Sequence, residues 1–381
     1  MHSLAVLQSP ARFHSNSQEI GPVSQTQASF DQAKAEAFLE RMAATVDSGA
    51  VTLMTSLGHR SGLFDVMAGL PPATSTEIAE TAALSERYVR EWLAAMVTGR
   101  VVIYDPAAGT YALPPEHAAC LTRDAALGNM AVAAQAVAMV AQAETRVLDC
   151  FETGGGTRYD DYPCFHQVMA EDSGQTVVAQ LFDVVLPLVP ELPERLEAGI
   201  EVLDAGCGRG LALLALAARY PLSRFTGYDL SAEAIGAATR DAAAAGLDNL
   251  CFEVRDLTGF DEAACYDLVT SFDAVHDQKY PQGLIRGLYG ALRLGGVYLM
   301  QDIGGSAKLE NNADFPLATF LYTVSCLHCM PVSLGQGGAG LGTMWGWETA
   351  ETMLLEAGFA RPERHVLPHD PMNVWFVARK G

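Results

Sequence analysis

A ten-residue stretch just past the middle of the 381-residue chain, EVLDAGCGRG at 201–210, constrains the fold more than any other. An apolar run ends in Asp204, and three glycines then alternate with other residues. Because glycine has no side chain, such a turn bends sharply and lets ligand atoms approach the main chain. An apolar, helix-like run follows it. This strand–turn–helix order is typical of parallel α/β sheets, in which ligands bind beyond the carboxyl ends of the strands.

Strand-like and helix-like segments alternate from about residue 200 to the end of the chain. Seven strands are predicted, and the last two must run antiparallel because only the short HDPM turn joins them. Apolar strands that alternate with helices indicate a sheet covered on both faces. The fold class predicted for 199–381 is therefore α/β, a Rossmann-like doubly wound seven-stranded sheet. Segment 304–344 is too long for a simple connection and is predicted to be a lid insertion.

The N-terminal half is predicted to be mainly helical. Residues 1–30 are polar and aperiodic, which predicts a flexible arm, and two helices follow from residue 31. Thr74 or Ser75 and then Ser85 are predicted to cap two further helices, before two strands that flank the turn PAAG. Helix, turn, helix and a two-stranded wing form an α-helical winged-helix domain at 31–123. A helical linker at 124–198, interrupted by the loop GGGTRYDDYPCFHQ, is predicted to line a pocket.

Net charge limits the partners of this chain. The formal charge of −21 disfavours contact with phosphate backbones and anionic membranes. On the second helix of the winged-helix domain, Arg87 and Arg90 are offset by Glu86 and Glu91, so no nucleic-acid partner is expected. The uncharged stretch 125–143 is predicted to be a buried interdomain or dimer helix rather than a membrane span. Eight cysteines without a disulfide framework and an N-terminus unlike a signal peptide predict a cytoplasmic protein.

Two ligand classes use a glycine turn of this kind. Dinucleotide-binding turns prefer G-x-G-x-x-G, whereas here Leu211 takes the place of the third glycine and Gly210 comes one residue early. Asp204, just before the turn, would repel a pyrophosphate but suits a cation. The turn therefore favours a ligand with a positively charged amino-acid end over a diphosphate.

Four features in order make the chain similar to class I S-adenosylmethionine-dependent methyltransferases: VLDAGCGRG, GYDLS, VRDLTGF and LRLGGVYLM. The resemblance implies S-adenosyl-L-methionine as cofactor, with Asp229 on the ribose hydroxyls, Asp256 on the adenine amino group and Leu257 against the adenine ring. The cofactor-binding residues expected at the strand ends are Asp204, Ala205, Gly206, Cys207, Gly208, Gly210, Asp229, Leu230, Asp256, Leu257 and Phe272.

A winged-helix domain ahead of such a sheet resembles small-molecule O-methyltransferases of plants and actinobacteria. It is also similar to a less characterised bacterial, mycobacterial-type group of winged-helix methyltransferases, through FDAVHDQ, GAGLGTMWG and a tyrosine-bearing GGG loop. The resemblance implies a homodimer formed through the N-terminal domain. The apolar, aromatic lid and the acidic surface suggest a small, largely apolar substrate that carries a hydroxyl or an amine.

His276 and Asp277, in SFDAVHDQKYP after the fourth strand, are the candidate catalytic residues. The resemblance implies a His–Asp pair here with the histidine as general base, and the ordinary pKa of histidine near neutrality suits that role. Gln278 stands where those enzymes usually have tryptophan. A structural or substrate-positioning role for His276 therefore stays open.

The substrate pocket is expected to use residues of the linker loop and of the lid, together with the tryptophan that follows the lid. These candidates are Tyr159, Tyr162, His166, His328, Met330 and Trp345. Cys326, His328 and Cys329 lack a second ligand pair at useful spacing, so no metal site is predicted.

These features predict methyl transfer from S-adenosyl-L-methionine to a hydroxyl or amine of a small molecule. Two alternatives stay open at this point. One is a ligand-sensing transcriptional regulator that retains the cofactor fold and reads DNA with its wing. The other is an enzyme that binds the cofactor for chemistry other than methyl transfer.

Overall fold

The computed structural model describes residues 30–125 and 128–381. The predicted arm at 1–30 thus lies, except for Phe30, outside the described residues. The described chain divides into two units, one ending at Val46 and the other running from Asp47 to Gly381. All eight cysteines carry free thiols.

The helices and strands follow in chain order. The helices are α1 Gln32–Arg60, α2 Leu63–Ala68, α3 Ser75–Ala82, α4 Glu86–Thr98, α5 Pro115–Leu121, α6 Met130–Val140, α7 Glu144–Thr153, α8 Phe165–Thr176, α9 Leu192–Ala198, α10 Leu211–Arg219, α11 Ala232–Ala244, α12 Pro281–Ala291, α13 Ala318–Val324, α14 Met330–Gly335 and α15 Trp347–Ala357. The strands are β1 Ile103–Asp105, β2 Thr110–Ala112, β3 Glu201–Ala205, β4 Arg224–Asp229, β5 Leu250–Val254, β6 Tyr266–Phe272, β7 Leu292–Ile303, β8 Glu363–Leu367 and β9 Asp370–Arg379.

Helix α1 is longer than predicted. The sequence suggested two helices, but one helix runs to Arg60, and Gly62, with φ +77°, turns the chain into α2. In the first unit, the predicted apolar stripe of α1 is exposed to solvent. It consists of Phe38, Leu39, Met42 and Val46. An exposed apolar stripe on a helix is a surface that another protein can cover.

Helices α3 and α4 and the hairpin β1–β2 form the predicted winged helix. Thr74 and Glu77 make a reciprocal capping box at the start of α3, whereas Ser85 precedes α4 without a side-chain capping bond. Val89, Trp92, Leu93 and Met96 are buried on the inner face of α4, as predicted. On its outer side, ion pairs join Arg87 to Glu91 and Arg90 to Glu86.

A seven-stranded sheet forms the core of the C-terminal half, which confirms the predicted fold class. Its order is β5-β4-β3-β6-β7-β9-β8, parallel except for the pairs that β9 makes with β7 and β8. The order reverses between β3 and β6. In such sheets the crevice at the reversal, beyond the carboxyl ends of the strands, is where a ligand can enter.

The predicted lid is largely helical. Helices α13 and α14 are joined by a π-helical turn, Ser325–Cys329. Together they make Ala318–Gly335 long and apolar enough to cross a membrane, and a bent pair, Phe165–Leu188 with Leu192–Ala198, passes the same test jointly. In the first run, buried His328 packs against aromatic rings of the linker. These contacts are typical of a core helix.

Candidate active site

A cavity of about 980 Å³ lies at the carboxyl ends of β3, β4 and β6. Residues from 157–177 and from 332–336 also line it. Its volume is at the upper end of the range for small-molecule sites. The cavity can therefore hold a sizeable ligand, or two smaller ones side by side.

The glycine turn forms the floor of this cavity. Gly206 and Gly210 have φ of +78° and +66°, and a Cβ there would lie 2.6 Å from Ala274 and 2.4 Å from the Phe252 ring. At Gly208, with φ +52°, a Cβ would have no atom within 4 Å. Two of the glycines thus permit close packing beneath the turn, while the third presents bare main chain to open space.

Asp229, the last residue of β4, holds the turn in place. Its Oδ2 accepts a hydrogen bond from the backbone N–H of Gly208 at 2.8 Å, and its Oδ1 accepts one from the N–H of Ser231 at 2.8 Å. Each carboxylate oxygen has a second lone pair, so the group can still accept hydrogen bonds from a ligand in the cavity. The position is suited to a vicinal diol.

Asp204, near the end of β3, is a buried acid on the cavity wall. The hydroxyl of Thr270 donates to its Oδ1 at 2.8 Å. Burial raises the pKa of Asp204 to about 7, with a smaller rise from the charge of Asp229, against the opposing effect of the Thr270 bond. A cation placed beside it would favour the ionised carboxylate.

Asp256 and Leu257 line the cavity beyond β5. Oδ1 of Asp256 accepts the N–H of Thr258 at 2.8 Å, and hydrogen bonds from Thr258 lower the pKa of Asp256. Asp256 is therefore a carboxylate at neutral pH. Next to it, the guanidinium of Arg255 lies 4.5 Å from the centre of the Tyr228 ring.

Most of the predicted site residues meet at this one cavity. Its lining includes Tyr159, Tyr162, His166, Asp204, Gly206, Cys207, Gly208, Gly210, Asp229, Leu230, Asp256, Leu257, Phe272 and Asp277. Ala205 is buried inside the sheet. The remaining candidates lie outside the lining: His276, His328, Met330 and Trp345.

Asp277 is the member of the predicted catalytic pair that faces the cavity. The hydroxyl of Tyr159 donates to its Oδ2 at 2.8 Å, while Oδ1 is buried and has no hydrogen-bond partner. Burial raises the pKa of Asp277, although the charge of His276 and the Tyr159 hydrogen bond act against it. Burial and the negative charge of Asp277 raise the pKa of Tyr159 well above its ordinary value, so Tyr159 remains a hydrogen-bond donor.

His276 is fixed in a network behind the cavity wall. Its Nδ1 lies 2.9 Å from Oδ1 of Asp302, an oxygen that also accepts the indole N–H of Trp345 at 2.9 Å. On its own, burial would lower the pKa of His276, but the Asp302 carboxylate outweighs it and raises the pKa well above the ordinary value. Cys329 adds to this rise in pKa. His276 is thus a buried imidazolium whose Nδ1 is held by Asp302.

Asp273, His276 and Asp302 place one donor atom each within 4.8 Å of one another, close enough for a metal ion. The Asp302 oxygen in this set already accepts the backbone N–H of Ile303 in addition to His276 and Trp345. Oδ2 of Asp302 and Oδ1 of Asp273, by contrast, are buried without a hydrogen-bond partner.

His328 is a packing residue of the lid. Its ring stacks on Phe165 with centroids 4.4 Å apart and meets Tyr162 edge-on at 4.4 Å. Burial, helped by the positive charges of His276 and His166, lowers the pKa of His328 to about 3. The ring is therefore neutral and fills space between the linker loop and α14.

The linker loop and the lid meet backbone to backbone. The N–H of Thr157 donates to the carbonyl of Pro331 at 2.9 Å. A Cβ on Gly156 would lie 2.0 Å from that carbonyl, and one on Gly335 would lie 2.1 Å from the carbonyl of Thr157. Only residues without side chains allow this approach. It fixes Tyr159, two residues beyond Thr157, against Asp277.

The sequence did not point to Asp172, which lines the cavity from α8. Burial, followed by the negative charge of Asp370, raises its pKa to about 6. Asp172 stands in an ordinary helical stretch, EDSGQT, with no motif around it. Its place in the cavity depends on how α8 packs against the sheet. With Asp204, Asp229 and Asp277 it gives the cavity an acidic wall that suits a cationic ligand.

Two protein families match the chain. Residues 49–123 match the Rv2258c-like winged HTH domain, and residues 196–355 match a methyltransferase domain. Methyltransferase ungE' of Aspergillus campestris is 30% identical over 190 residues, which are 46% of this chain and 52% of that protein. Ribosomal RNA small subunit methyltransferase C of Shigella flexneri is 36% identical over 102 residues, 25% of this chain and 29% of that protein. The chain thus covers about half of the length of the first relative and less than a third of the length of the second.

Solved structures share the fold over nearly the whole chain. Human N-acetylserotonin methyltransferase, in complex with SAM, is 17% identical with a TM-score of 0.64, covering 93% of this chain and 100% of that one. An O-methyltransferase family protein of Burkholderia thailandensis is 16% identical with a TM-score of 0.58, covering 93% and 99%. At such identities the similarity is one of fold.

Proposed function

We propose that this chain, a winged helix-turn-helix domain joined to a methyltransferase domain, transfers a methyl group from S-adenosyl-L-methionine to a small molecule. The observation that carries the proposal is the convergence of Asp204, the bare turn at Gly208 and Asp229 on one cavity at the sheet's reversal point. These groups suit the two polar ends of a sulfonium nucleoside: a cationic amino-acid end and a ribose diol.

The residues present fit this cofactor. Asp229 would accept the ribose hydroxyls. Asp256 would accept the adenine amino group, with Leu257 against the ring. The carboxylate of Asp204 would face the cationic end. Gly208 leaves the main chain open to it. When bound, S-adenosyl-L-methionine supplies an electrophilic methyl group on a positively charged sulfur.

Calorimetry tests the proposal directly. The purified protein should bind S-adenosyl-L-methionine and its demethylated product, S-adenosylhomocysteine, with one site per chain and micromolar or tighter affinity. Absence of binding heat for both ligands at millimolar concentration would overturn the assignment.

Binding should release a proton near neutral pH. The pKa of about 7 means that folded Asp204 holds its proton more tightly than an unfolded aspartate, which titrates near 3.9. Asp204 therefore lowers the free energy of unfolding as pH rises from about 4 to 7. A cationic ligand end beside it favours the carboxylate and offsets this loss. Affinity for S-adenosylhomocysteine is expected to rise up to about tenfold between pH 6 and 8.

Calorimetry at pH 6.5 in two buffers of different ionisation enthalpy counts the released protons. The matched variant Asp204→Asn keeps the shape of the side chain and should release fewer. Equal proton release by wild type and variant would rule out Asp204 as the source.

The acceptor binds beside the strand end that carries His276 and Asp277. The pair provides the proton acceptor for the reaction, and the loop 154–167 and the lid enclose the acceptor. The acidic wall disfavours anionic acceptors and favours a hydroxyl or an amine. A small, largely apolar molecule with such a group fits a cavity whose lining also includes Phe165, Met169 and Val332.

A homodimer formed through the N-terminal domain completes the proposal. Leu39, Met42 and Val46 recur at helical spacing on α1 and are exposed. The occupant that covers them is the same helix of a second copy.

Replacing Leu39 and Val46 together with glutamate is expected to convert the dimer into a monomer, because four charges would enter an apolar interface. Size-exclusion chromatography with light scattering measures this. Ala37→Glu, exposed on the opposite side of the helix at 3.6 residues per turn, is the control and should leave the dimer intact. A monomeric wild type would contradict the proposed dimer.

The ion pairs on α4 argue against a DNA-reading role for the winged-helix domain. Arg87 and Arg90 are each neutralised by a glutamate on the same helix. A recognition helix needs free cations for phosphate contacts. The proposed partners are therefore a small molecule and a second copy of the chain, in the cytoplasm.

A further inference from the structure

We propose that Asp172 of α8, together with Asp204, binds the ammonium group at the amino-acid end of S-adenosyl-L-methionine, so that recognition of the cofactor requires this amine. The inference rests on the proposed function and names a residue that selects the cofactor. Asp204 belongs to the glycine-turn motif, whereas Asp172 belongs to no motif. The two carboxylates come from different elements, α8 and β3, and line the same cavity.

The first argument is the course of α8 along the cavity. Residues from both ends of the helix, Phe165–Thr176, line it. Near the start, His166 is close enough to Asp229 to be affected by its charge: burial lowers the pKa of His166, and the charge of Asp229 acts against this. Asp172 lies about 9 Å further along the helix axis, at about 1.5 Å per residue.

At this distance α8 has reached the end of β6, because Asp172 acts on Asp273. Burial raises the pKa of Asp273 well above its ordinary value; the charge of His276 opposes this, and the charges of Asp302 and Asp172 add to it. The helix thus leads from the residue proposed to hold the ribose to the strand end that carries the catalytic candidates. The amino-acid end of the cofactor extends from the ribose through the sulfur, so its ammonium would reach Asp172.

The second argument is that Asp172 and Asp204 lack a counter-ion. Burial, with a smaller contribution from the charge of a neighbouring aspartate, raises the pKa of Asp172 to about 6 and that of Asp204 to about 7. Among the described residues, no cation acts on the pKa of either one. A buried carboxylate without a cation is costly, and an ammonium bound between the two would stabilise both in their ionised forms.

Asp204 has an oxygen available for this contact, although the residue is only 3% exposed. The hydroxyl of Thr270 donates to Oδ1 at 2.8 Å. Oδ2 has no hydrogen-bond partner within the described chain and, unlike Oδ1 of Asp273, is not fully enclosed by protein. Because an ammonium group carries three N–H donors, it can serve one oxygen of Asp204 and one of Asp172 at the same time.

The test compares S-adenosylhomocysteine with an analogue in which hydrogen replaces its α-amino group. Both are titrated by calorimetry at about pH 8 without a methyl acceptor, so an amine of the acceptor cannot account for the result. Wild type should bind S-adenosylhomocysteine at least about tenfold more tightly than the analogue, since hydrogen bonds between charged groups are strong. Asp172→Asn should reduce this preference at least about threefold and leave affinity for the analogue unchanged.

Asp183→Asn is the matched control. Asp183 is exposed and lies outside the cavity lining, where solvent screens its charge, so this variant should keep the preference to within about twofold. Asparagine has nearly the size of aspartate, and thermal unfolding of Asp172→Asn shows whether the variant is folded.

Three results would overturn the inference and leave the proposed function standing. Wild type could bind the two ligands equally, Asp172→Asn could retain the full preference, or Asp172→Asn could lose affinity for both ligands to the same extent. Failure of wild type to bind S-adenosylhomocysteine at all would overturn the proposed function itself.

Discussion

Asp229→Ala is expected to weaken binding of S-adenosylhomocysteine by about 100-fold. The carboxylate is proposed to accept both ribose hydroxyls, and each hydrogen bond to a charged group contributes about 1.5–3 kcal/mol. Loss of about 3 kcal/mol corresponds to roughly two orders of magnitude in the dissociation constant. Isothermal titration calorimetry of the purified variant measures the change.

The effect should exceed that of losing ligand contacts alone, because Asp229 also braces the turn. Without its carboxylate, the N–H of Gly208 and that of Ser231 lose their acceptors, and the bare main chain is free to move. Asp248→Ala, which removes an exposed carboxylate outside the cavity, is the matched control and should bind normally. Similar affinities of the two variants would show that Asp229 does not hold the ribose.

Gly156→Ala is expected to lower the melting temperature by about 2–8 °C, because overpacking of this kind costs about 1–3 kcal/mol. The added methyl group would meet backbone atoms of Pro331 and Gly335, and backbone cannot move aside as a flexible side chain can. The loop must therefore separate from α14, which stretches the bond between Thr157 and Pro331. Thermal unfolding followed by circular dichroism measures the shift.

Gly174→Ala provides the control with the same chemical change. Gly174 lies inside α8 with no atom near a Cβ position, so alanine should be neutral or slightly stabilising there. The separation of loop and lid should also displace Tyr159, whose hydroxyl donates to Asp277. A melting temperature equal to that of Gly174→Ala would contradict the tight contact.

The sheet and the glycine turn were predictable because their signals are local. Period-two and apolar runs mark the strands, and a turn with Asp204 before three glycines admits few backbone conformations. The chain order of β3, β4 and β5, with acids at the ends of β3 and β4, was enough to predict that Asp204 and Asp229 meet at one edge. The winged helix was likewise predictable from the inner face of α4 and the capping residue Thr74.

Features that depend on packing between distant segments were not predictable. Whether His276 or Asp277 lines the cavity depends on Asp302 and Trp345, which come 26 and 69 residues after His276 in the chain. The sequence places two titratable residues side by side, and alternate neighbours in a loop can point either way. His328 illustrates the same limit, since only the rings of the linker loop show that it is a packing residue.

The continuous helix α1 was missed for a different reason. The sequence suggested two helices, yet Gly49 lies inside α1, and glycine within a helix costs only about 1 kcal/mol, which 29 residues of helical hydrogen bonding can absorb. Helix propensity at one or two positions is thus a weak guide to where a long helix ends.

The main-chain contact between the 154–157 loop and α14 has an evolutionary consequence. The wall that is proposed to surround the acceptor comes from two stretches of chain that contribute nothing to the strand-end acids. Substitutions in those stretches can change which acceptor is chosen and leave nucleoside affinity untouched, provided that Gly156 and Gly335 persist. Related proteins can therefore come to differ in substrate through side chains on either side of this main-chain contact, while the contact itself stays the same.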